Sequence, residues 1–130
     1  MTGTPSALRL TQIGQIAINV KDLDRAVRFY RDTLGLSMLF QFPRLAFFDC
    51  GGVRLMLSLP EKPEFDHESS IIYYKVEDIE GACASLRERG VSIEQGPQLV
   101  AKMPTHDLWM AFLRDPDHNP LALMSEKKTV

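Results

Sequence analysis

One phrase of the chain occurs twice. Val20-Lys-Asp-Leu-Asp-Arg-Ala-Val27 returns 56 residues later as Val76-Glu-Asp-Ile-Glu-Gly-Ala-Cys83. Valine, aspartate and alanine recur in place, while Leu23/Ile79 and Asp24/Glu80 exchange like for like. Arg31 falls on Arg87 and Asp32 on Glu88, beyond which the second copy is one residue shorter. Leu45-Ala-Phe-Phe48 then matches Met110-Ala-Phe-Leu113, and Leu55-Met-Leu57 matches Leu121-Ala-Leu123. Four matches in the same order indicate a duplication. In a chain of 130 residues, too short for two independent domains, such a repeat points to two similar units that share one domain.

Each copy reads as strand, helix, then further strands. Gln15 to Val20 alternates, with Ile16, Ile18 and Val20 on one face and Gln15, Ala17 and Asn19 on the other, the period of a strand buried on one side. Asp22 is placed to cap a helix whose stripe is Leu23, Ala26, Val27, Tyr30 and Leu34, with Gly35 as its stop. The second copy repeats the pattern: strand Ile71 to Val76, cap Asp78, stripe Ile79, Ala82, Cys83 and Leu86, stop Gly90. A hairpin Leu45–Asp49 to Val53–Leu59 turns at Gly51-Gly52; its counterpart, Leu108–Arg114 to Leu121–Met124, turns through Asp115-Pro-Asp-His-Asn-Pro120. Pro60 to Ser70, rich in proline and charge, is a surface connection. Met1–Ala7 and Glu126–Val130 are polar and expected to fray. The expected fold is α+β: two βαβββ modules, 8–60 and 68–127, in a single domain 8–127. They form a cupped, half-barrel mixed sheet with the helices on its outer face.

Charge excludes several partners. Fifteen Lys+Arg against 17 Asp+Glu give a net charge of −2, so no basic excess points to nucleic acid or an anionic membrane. The apolar stretches are too short to span a bilayer, and Met1 to Arg9 lacks the apolar segment of a secretory signal. Cys50 and Cys83 are too few for a disulfide framework and lack CxxC spacing, so a cytoplasmic location is expected. Cys83 lies on the buried helix stripe and Cys50 beside the turn glycines, neither with an activating His or helix N-terminus. No Ser-His-Asp order, phosphate-binding glycine loop or catalytic carboxylate pair is visible.

Val20-Lys-Asp-Leu-Asp-Arg-Ala-Val-Arg-Phe-Tyr-Arg-Asp-Thr-Leu-Gly-Leu36 resembles the first-helix signature of the vicinal oxygen chelate superfamily, and Asp115-Pro-Asp117 resembles that family's turn before the last strand. The superfamily includes glyoxalase I, methylmalonyl-CoA epimerase, extradiol dioxygenases, fosfomycin-resistance enzymes and bleomycin-binding proteins. The resemblance covers roughly residues 12 to 126 and implies a cup in which four strands each contribute one metal ligand. Carried over by position, the usual His, Glu/Gln, His and Glu fall on Gln15, Met56, Ile71 and Ala122. Of these only Gln15 offers a donor to a divalent ion, through its amide oxygen. No metal and no other cofactor is therefore expected. His67 and His118 lie on different loops, and His118 stands where the family has a turn glycine, so it is expected to be left-handed.

Strand parity assigns the neighbours of the lost ligands. The expected ligand-binding face holds Gln15, Ala17, Phe47, Arg54, Met56, Ile71, Tyr73, Met110, Phe112 and Ala122, with Asn19, Ser58, Lys75, Leu108 and Met124 sharing that parity. It is apolar and aromatic with few polar groups, the usual make-up of a small-molecule site. An inward Arg54 requires an anion, from the ligand or from an acidic side chain. His106 and Tyr73 are the candidates for acid–base chemistry. Trp109 has the opposite parity and belongs beneath a helix or at a subunit contact.

Three functions remain open at this level. The first is a binding protein that takes a small, partly apolar molecule, anionic if Arg54 points inward, without metal. The second is a glyoxalase I-like lyase or isomerase, or a dioxygenase, with a metal held by Gln15, His106 and further groups. The third is a metal-free enzyme using His106 or Tyr73. Open sheet edges and the superfamily's habit of closing its cup within a chain or across a two-fold axis imply a homodimer.

Overall fold

The structure, a computed structural model, describes residues 8–63 and 66–129; Met1–Ala7 lies outside the described residues. Strand β1 (Gln15–Asn19) leads into α1 (Leu23–Arg28), which continues as a π-helical turn, Phe29–Thr33. Strands β2 (Ser37–Gln41), β3 (Leu45–Cys50) and β4 (Val53–Ser58) complete the first module. The second module runs β5 (Ile72–Lys75), α2 (Ile79–Glu88), β6 (Ile93–Lys102), β7 (His106–Arg114) and β8 (Pro120–Lys128). Two four-stranded mixed sheets result, β1-β4-β3-β2 and β5-β8-β7-β6. They have identical topology: the first strand of each runs parallel to the last, and the other pairings are antiparallel. No barrel closes. No helix among the described residues is long and apolar enough to cross a membrane.

The helices begin where their caps require. The Asp22 carboxylate accepts from the Arg25 N–H at 3.1 Å and the Asp78 carboxylate from the Gly81 N–H at 3.0 Å, each satisfying one of the free N–H groups of a first turn. The two helices differ by the one residue that the repeat lacks. Between cap and stop glycine the first copy (Asp22 to Gly35) is one residue longer than the second (Asp78 to Gly90). The extra residue is absorbed as the π turn, where the Leu34 N–H reaches the Phe29 carbonyl, five residues back, at 2.9 Å. Each helix covers one face of its own sheet. Ile18, Val20, Leu23, Ala26, Val27, Tyr30, Ala46, Phe48, Leu55 and Leu57 form one core. Ile79, Cys83, Leu86, Ala111, Leu113, Leu121 and Leu123 form the other, with Phe29 and Leu34 of the first module packed against it.

Burial explains the behaviour of both thiols. Cys83 is fully buried in the second core and Cys50 is half-buried at a turn, and desolvation pushes both thiols above the ordinary cysteine range. In the native protein at pH 7.5, iodoacetamide is expected to alkylate Cys50 slowly. Cys83 should react only in proportion to the unfolded fraction, as read by peptide mass spectrometry along a urea titration.

A polar staple joins the modules. Asp115, 3% exposed, accepts from the N–H groups of Asp117 and Asn119 through one oxygen, and from the Tyr30 hydroxyl and the Asn119 side-chain amide through the other. Asp117 accepts from the Lys21 N–H at 2.7 Å and pairs with Arg25 at 3.0 Å. Asn119 donates to the Asn19 carbonyl at 3.0 Å. Burial, with Asp115 adding to it, pushes the Tyr30 phenol far above the usual tyrosine range, so it remains a donor at any working pH. His118 closes this turn at φ 67°, the only non-glycine residue with positive φ among those described. Substituting Gly for His118 is expected to leave stability within about 1 kcal/mol. Val, β-branched and ill-suited to that φ, should cost on the order of 1–3 kcal/mol by thermal or urea unfolding.

Most boundaries shift by only a residue or two from the sequence reading, and two of the differences bear on the site and the C-terminal segment. β5 begins at Ile72, which leaves Ile71 outside the strand. The expected fraying of Glu126–Val130 is corrected for its first part, because β8 extends to Lys128. The segment is polar yet tied down: Glu126, Lys127 and Lys128 pair in register with Leu108, Asp107 and His106. The Lys127 ammonium lies 4.6 Å from the Trp109 ring centroid and 2.7 Å from Glu80. Val130 lies outside the described residues. Truncation after Ser125 is expected to cost about 1–3 kcal/mol, from the lost ladder bonds and cation–π contact, and to shift Trp109 emission.

Candidate functional site

The faces turned away from the helices carry the expected ligand-binding residues, Ile71 excepted. On the first sheet the register aligns them in two rows across the strands. Ala17, Met56, Phe47 and Phe40 stand side by side on β1, β4, β3 and β2, an apolar row. Gln15, Arg54, Asp49 and Ser37 form the adjacent polar row. Arg54 leans from its own row over the other, with its guanidinium carbon 5.3 Å from the Phe47 ring centroid. Its Nε–H donates to Gln15 Oε1 at 2.8 Å, and Gln15 Nε2 donates in turn to Met56 Sδ at 3.7 Å. The orientation of the Gln15 amide follows, because a guanidinium can only donate.

The second sheet carries the duplicate of the apolar row. Tyr73, Ala122 and Phe112 are register neighbours on β5, β8 and β7, and the methyl group of Ala122 is small enough for the flanking rings to meet edge to face, with centroids 6.1 Å apart. Lys75, Met124 and Met110 form the row behind it. Tyr73 is 44% exposed, whereas Ala122 is fully buried.

His106 stands apart. It is three same-face steps along β7 from Phe112, roughly 20 Å at strand rise, in a small cavity of its own with Lys75, Thr105, Glu126 and Lys128. There Nε2 lies 3.1 Å from the Glu126 carboxylate and Nδ1 3.1 Å from the Thr105 hydroxyl. A hydrogen bond and charge from Lys75, at 2.6 Å, hold the Glu126 carboxyl below its usual range. The structure thus groups Gln15, Ala17, Phe47, Arg54 and Met56 on one sheet, and Tyr73, Met110, Phe112 and Ala122 on the other. His106 and Ile71 lie outside both groups.

Ile71 instead lines a cleft of about 600 Å³ where the modules meet, its walls part polar (Asn19, Ser69, Asp117, Asn119) and part apolar (Val20, Pro120). Strand parity could not have found this cleft, since loops from both modules build it. A second cavity of about 390 Å³, mostly apolar, opens along the same boundary between Ile16, Leu36 and Leu55 on one side and Ile72, Tyr74 and Leu123 on the other.

The residues do not suit the metal that the resemblance implies. Met56 and Ala122 offer a divalent ion no oxygen or imidazole, and Ile71 neither offers one nor lies on the strand. The single donor oxygen, on Gln15, already accepts from a cation. No group of three or more His, Cys, Asp or Glu side chains able to hold a metal occurs among the described residues.

Comparison with known proteins fits this architecture. Residues 12–123 match the family model "Glyoxalase/Bleomycin resistance protein/Dioxygenase superfamily". The Bacillus subtilis (strain 168) protein described as "Uncharacterized protein YraH" is 32% identical over a 119-residue alignment that covers 81% of this chain and 91% of that protein. The crystal structure of lactoylglutathione lyase from Agrobacterium tumefaciens superposes with a TM-score of 0.76 at 23% identity, covering 90% of this chain and 95% of that one. TnmS3, an antibiotic binding protein from Streptomyces sp. CB03234, superposes with a TM-score of 0.70 at 25% identity over 95% of this chain and 100% of that one. With its duplicated βαβββ modules and a family match spanning most of its length, the chain belongs to the glyoxalase/bleomycin resistance protein/dioxygenase superfamily.

Proposed function

We propose that this protein binds a small, partly apolar molecule without a metal, on the sheet faces bearing Gln15, Phe47, Arg54 and Met56 and bearing Tyr73, Met110 and Phe112. One observation carries the reading: where relatives of this fold would place a cation's ligands, the only available oxygen is hydrogen-bonded to the Arg54 guanidinium. A divalent ion placed there would lack ligands and meet a positive charge. The exposed Tyr73 ring, with the half-buried Phe112, Met56 and Met110 side chains, offers an adaptable apolar surface instead. TnmS3, of similar size and fold, is named as an antibiotic binding protein, so a chain of this architecture can serve as a binder. The working form is a homodimer in the cytoplasm, in which open sheet edges are paired or covered.

Purified protein is expected to carry less than about 0.1 equivalents of any transition metal. Its ligands, found by a Trp109 fluorescence screen, should bind equally with and without EDTA. If every ligand needs added nickel or zinc, a lyase, isomerase or dioxygenase takes this reading's place. A metal-free acid–base role draws on one feature, the His106 imidazole held between Glu126 and Thr105. Turnover of a bound ligand that disappears in His106→Ala, and not in Tyr73→Phe, would support it.

A further inference from the structure

We propose that Arg54 is the anion-recognising group of the first sheet and that the molecule it takes is a small aromatic monocarboxylate. This rests on the metal-free reading and narrows it to a ligand class. A guanidinium has five N–H donors in a fixed plane. Arg54 spends one, Nε–H, on Gln15, whose own amide is held by Met56, and Phe47 supports the plane from one side. The arginine is exposed, and its two Nη groups make no hydrogen bond or ion pair with any described residue. They form an end-on fork that matches the two oxygens of a carboxylate.

The acidic side chain positioned to occupy that fork does not. Asp49 is the cross-strand neighbour of Arg54, yet its carboxylate accepts from the Gly52 N–H at 3.3 Å and forms no ion pair with the guanidinium. Its nearby charge disfavours a polyanion and leaves a single negative charge as the best match.

The aromatic half of the ligand is read from the rings beside the fork. Phe40 lies 4.9 Å and Phe42 6.4 Å from Phe47, and the two are 5.5 Å apart, edge to face. They are 45% and 53% exposed, a large apolar surface next to a preoriented cation. A flat ring bearing a carboxylate satisfies both halves at once, by edge or offset contact with the phenylalanines and a charge-assisted fork to Arg54.

The probes are 2-naphthoate and its neutral isostere 2-naphthamide, titrated calorimetrically into the intact protein in EDTA. Naphthoate is expected to bind wild type at least 10-fold more tightly than naphthamide. Arg54→Gln should lose at least 10-fold for naphthoate and little for naphthamide, and Arg54→Lys, which keeps charge without the fork, should fall between them. An unchanged far-UV spectrum and melting midpoint show that the variants are folded. Equal affinity for the two probes, an Arg54→Gln protein that binds naphthoate as wild type does, or no naphthoate binding overturns the inference and leaves metal-free binding of other ligands standing. Naphthoate binding that requires zinc overturns the underlying reading as well. A naphthoate affinity that collapses as the protein self-associates, tracked by sedimentation, makes the Phe40–Phe42 surface an interface between copies and also overturns it.

Discussion

Replacing Asp115 with alanine is expected to destabilise the protein by about 3–5 kcal/mol, the sum of several unsatisfied donors rather than one lost bond. The carboxylate is buried and accepts four hydrogen bonds, at 2.8–2.9 Å. Without it the Tyr30 hydroxyl, itself 1% exposed on residue average, loses its partner inside the first core, and two backbone N–H groups of the turn lose theirs. Because that turn also positions Asp117 on Lys21 and Arg25 and Asn119 on Asn19, the junction between modules should loosen together with the turn. Tyr30→Phe removes one of the four bonds and should cost about 1–2 kcal/mol. The double variant is expected to cost less than the two single effects added, since they share a bond. Urea unfolding of the four proteins measures the cycle; an Asp115→Ala cost below about 1 kcal/mol would refute the staple.

Neighbouring phenylalanines on β3 should give opposite phenotypes. Phe48 faces the helix, fully buried, with its ring 6.4 Å from Tyr30; Phe47 faces the other way, under Arg54 and beside Phe40. Phe48→Ala opens a cavity in a core that cannot collapse around it. It is expected to cost about 3–5 kcal/mol, a drop in melting midpoint of roughly 10–20 °C for a domain of this size. Phe47→Ala should cost less than half as much, because Phe40, Phe42 and Arg54 are exposed and can settle into the space. Its main effect is on binding: with no ring under the guanidinium, naphthoate affinity should fall at least 5-fold. Equal stability losses at the two positions would mean that the face bearing Arg54 is a second core rather than a binding surface.

Much of this was legible in the residues. The alternation of Gln15 to Val20 and the Asp–x–x–helix starts at Asp22 and Asp78 predicted elements that depend on bonds a few residues long. The one-residue mismatch between copies was visible too, although that the first helix takes it up as a π turn is seen only in the fold. The resemblance, which puts His118 where the family has a turn glycine, implied a positive φ, and His118 has it. Parity along each strand assigned Gln15, Arg54, Met56, Phe47, Tyr73, Phe112 and Ala122 to the faces where they lie, since a strand's side chains must alternate.

What the linear order could not decide is how side chains from distant segments satisfy one another. Glu126–Lys128 reads as a polar tail until Lys75, Glu80, His106 and Trp109 are brought beside it. The role of Asp115 depends on Tyr30, 85 residues away, and the cleft at Ile71 on loops from both modules. Arg54 is the clearest case. Its sequence position predicts a charge facing the site, but only packing shows that it takes the Gln15 oxygen and lies across Phe47. Local stereochemistry and pleat alternation are properties of short stretches of chain, so the sequence determined the elements and their faces. Hydrogen-bond partnership between remote side chains exists only once the chain is folded, so tertiary structure decided what those faces can bind.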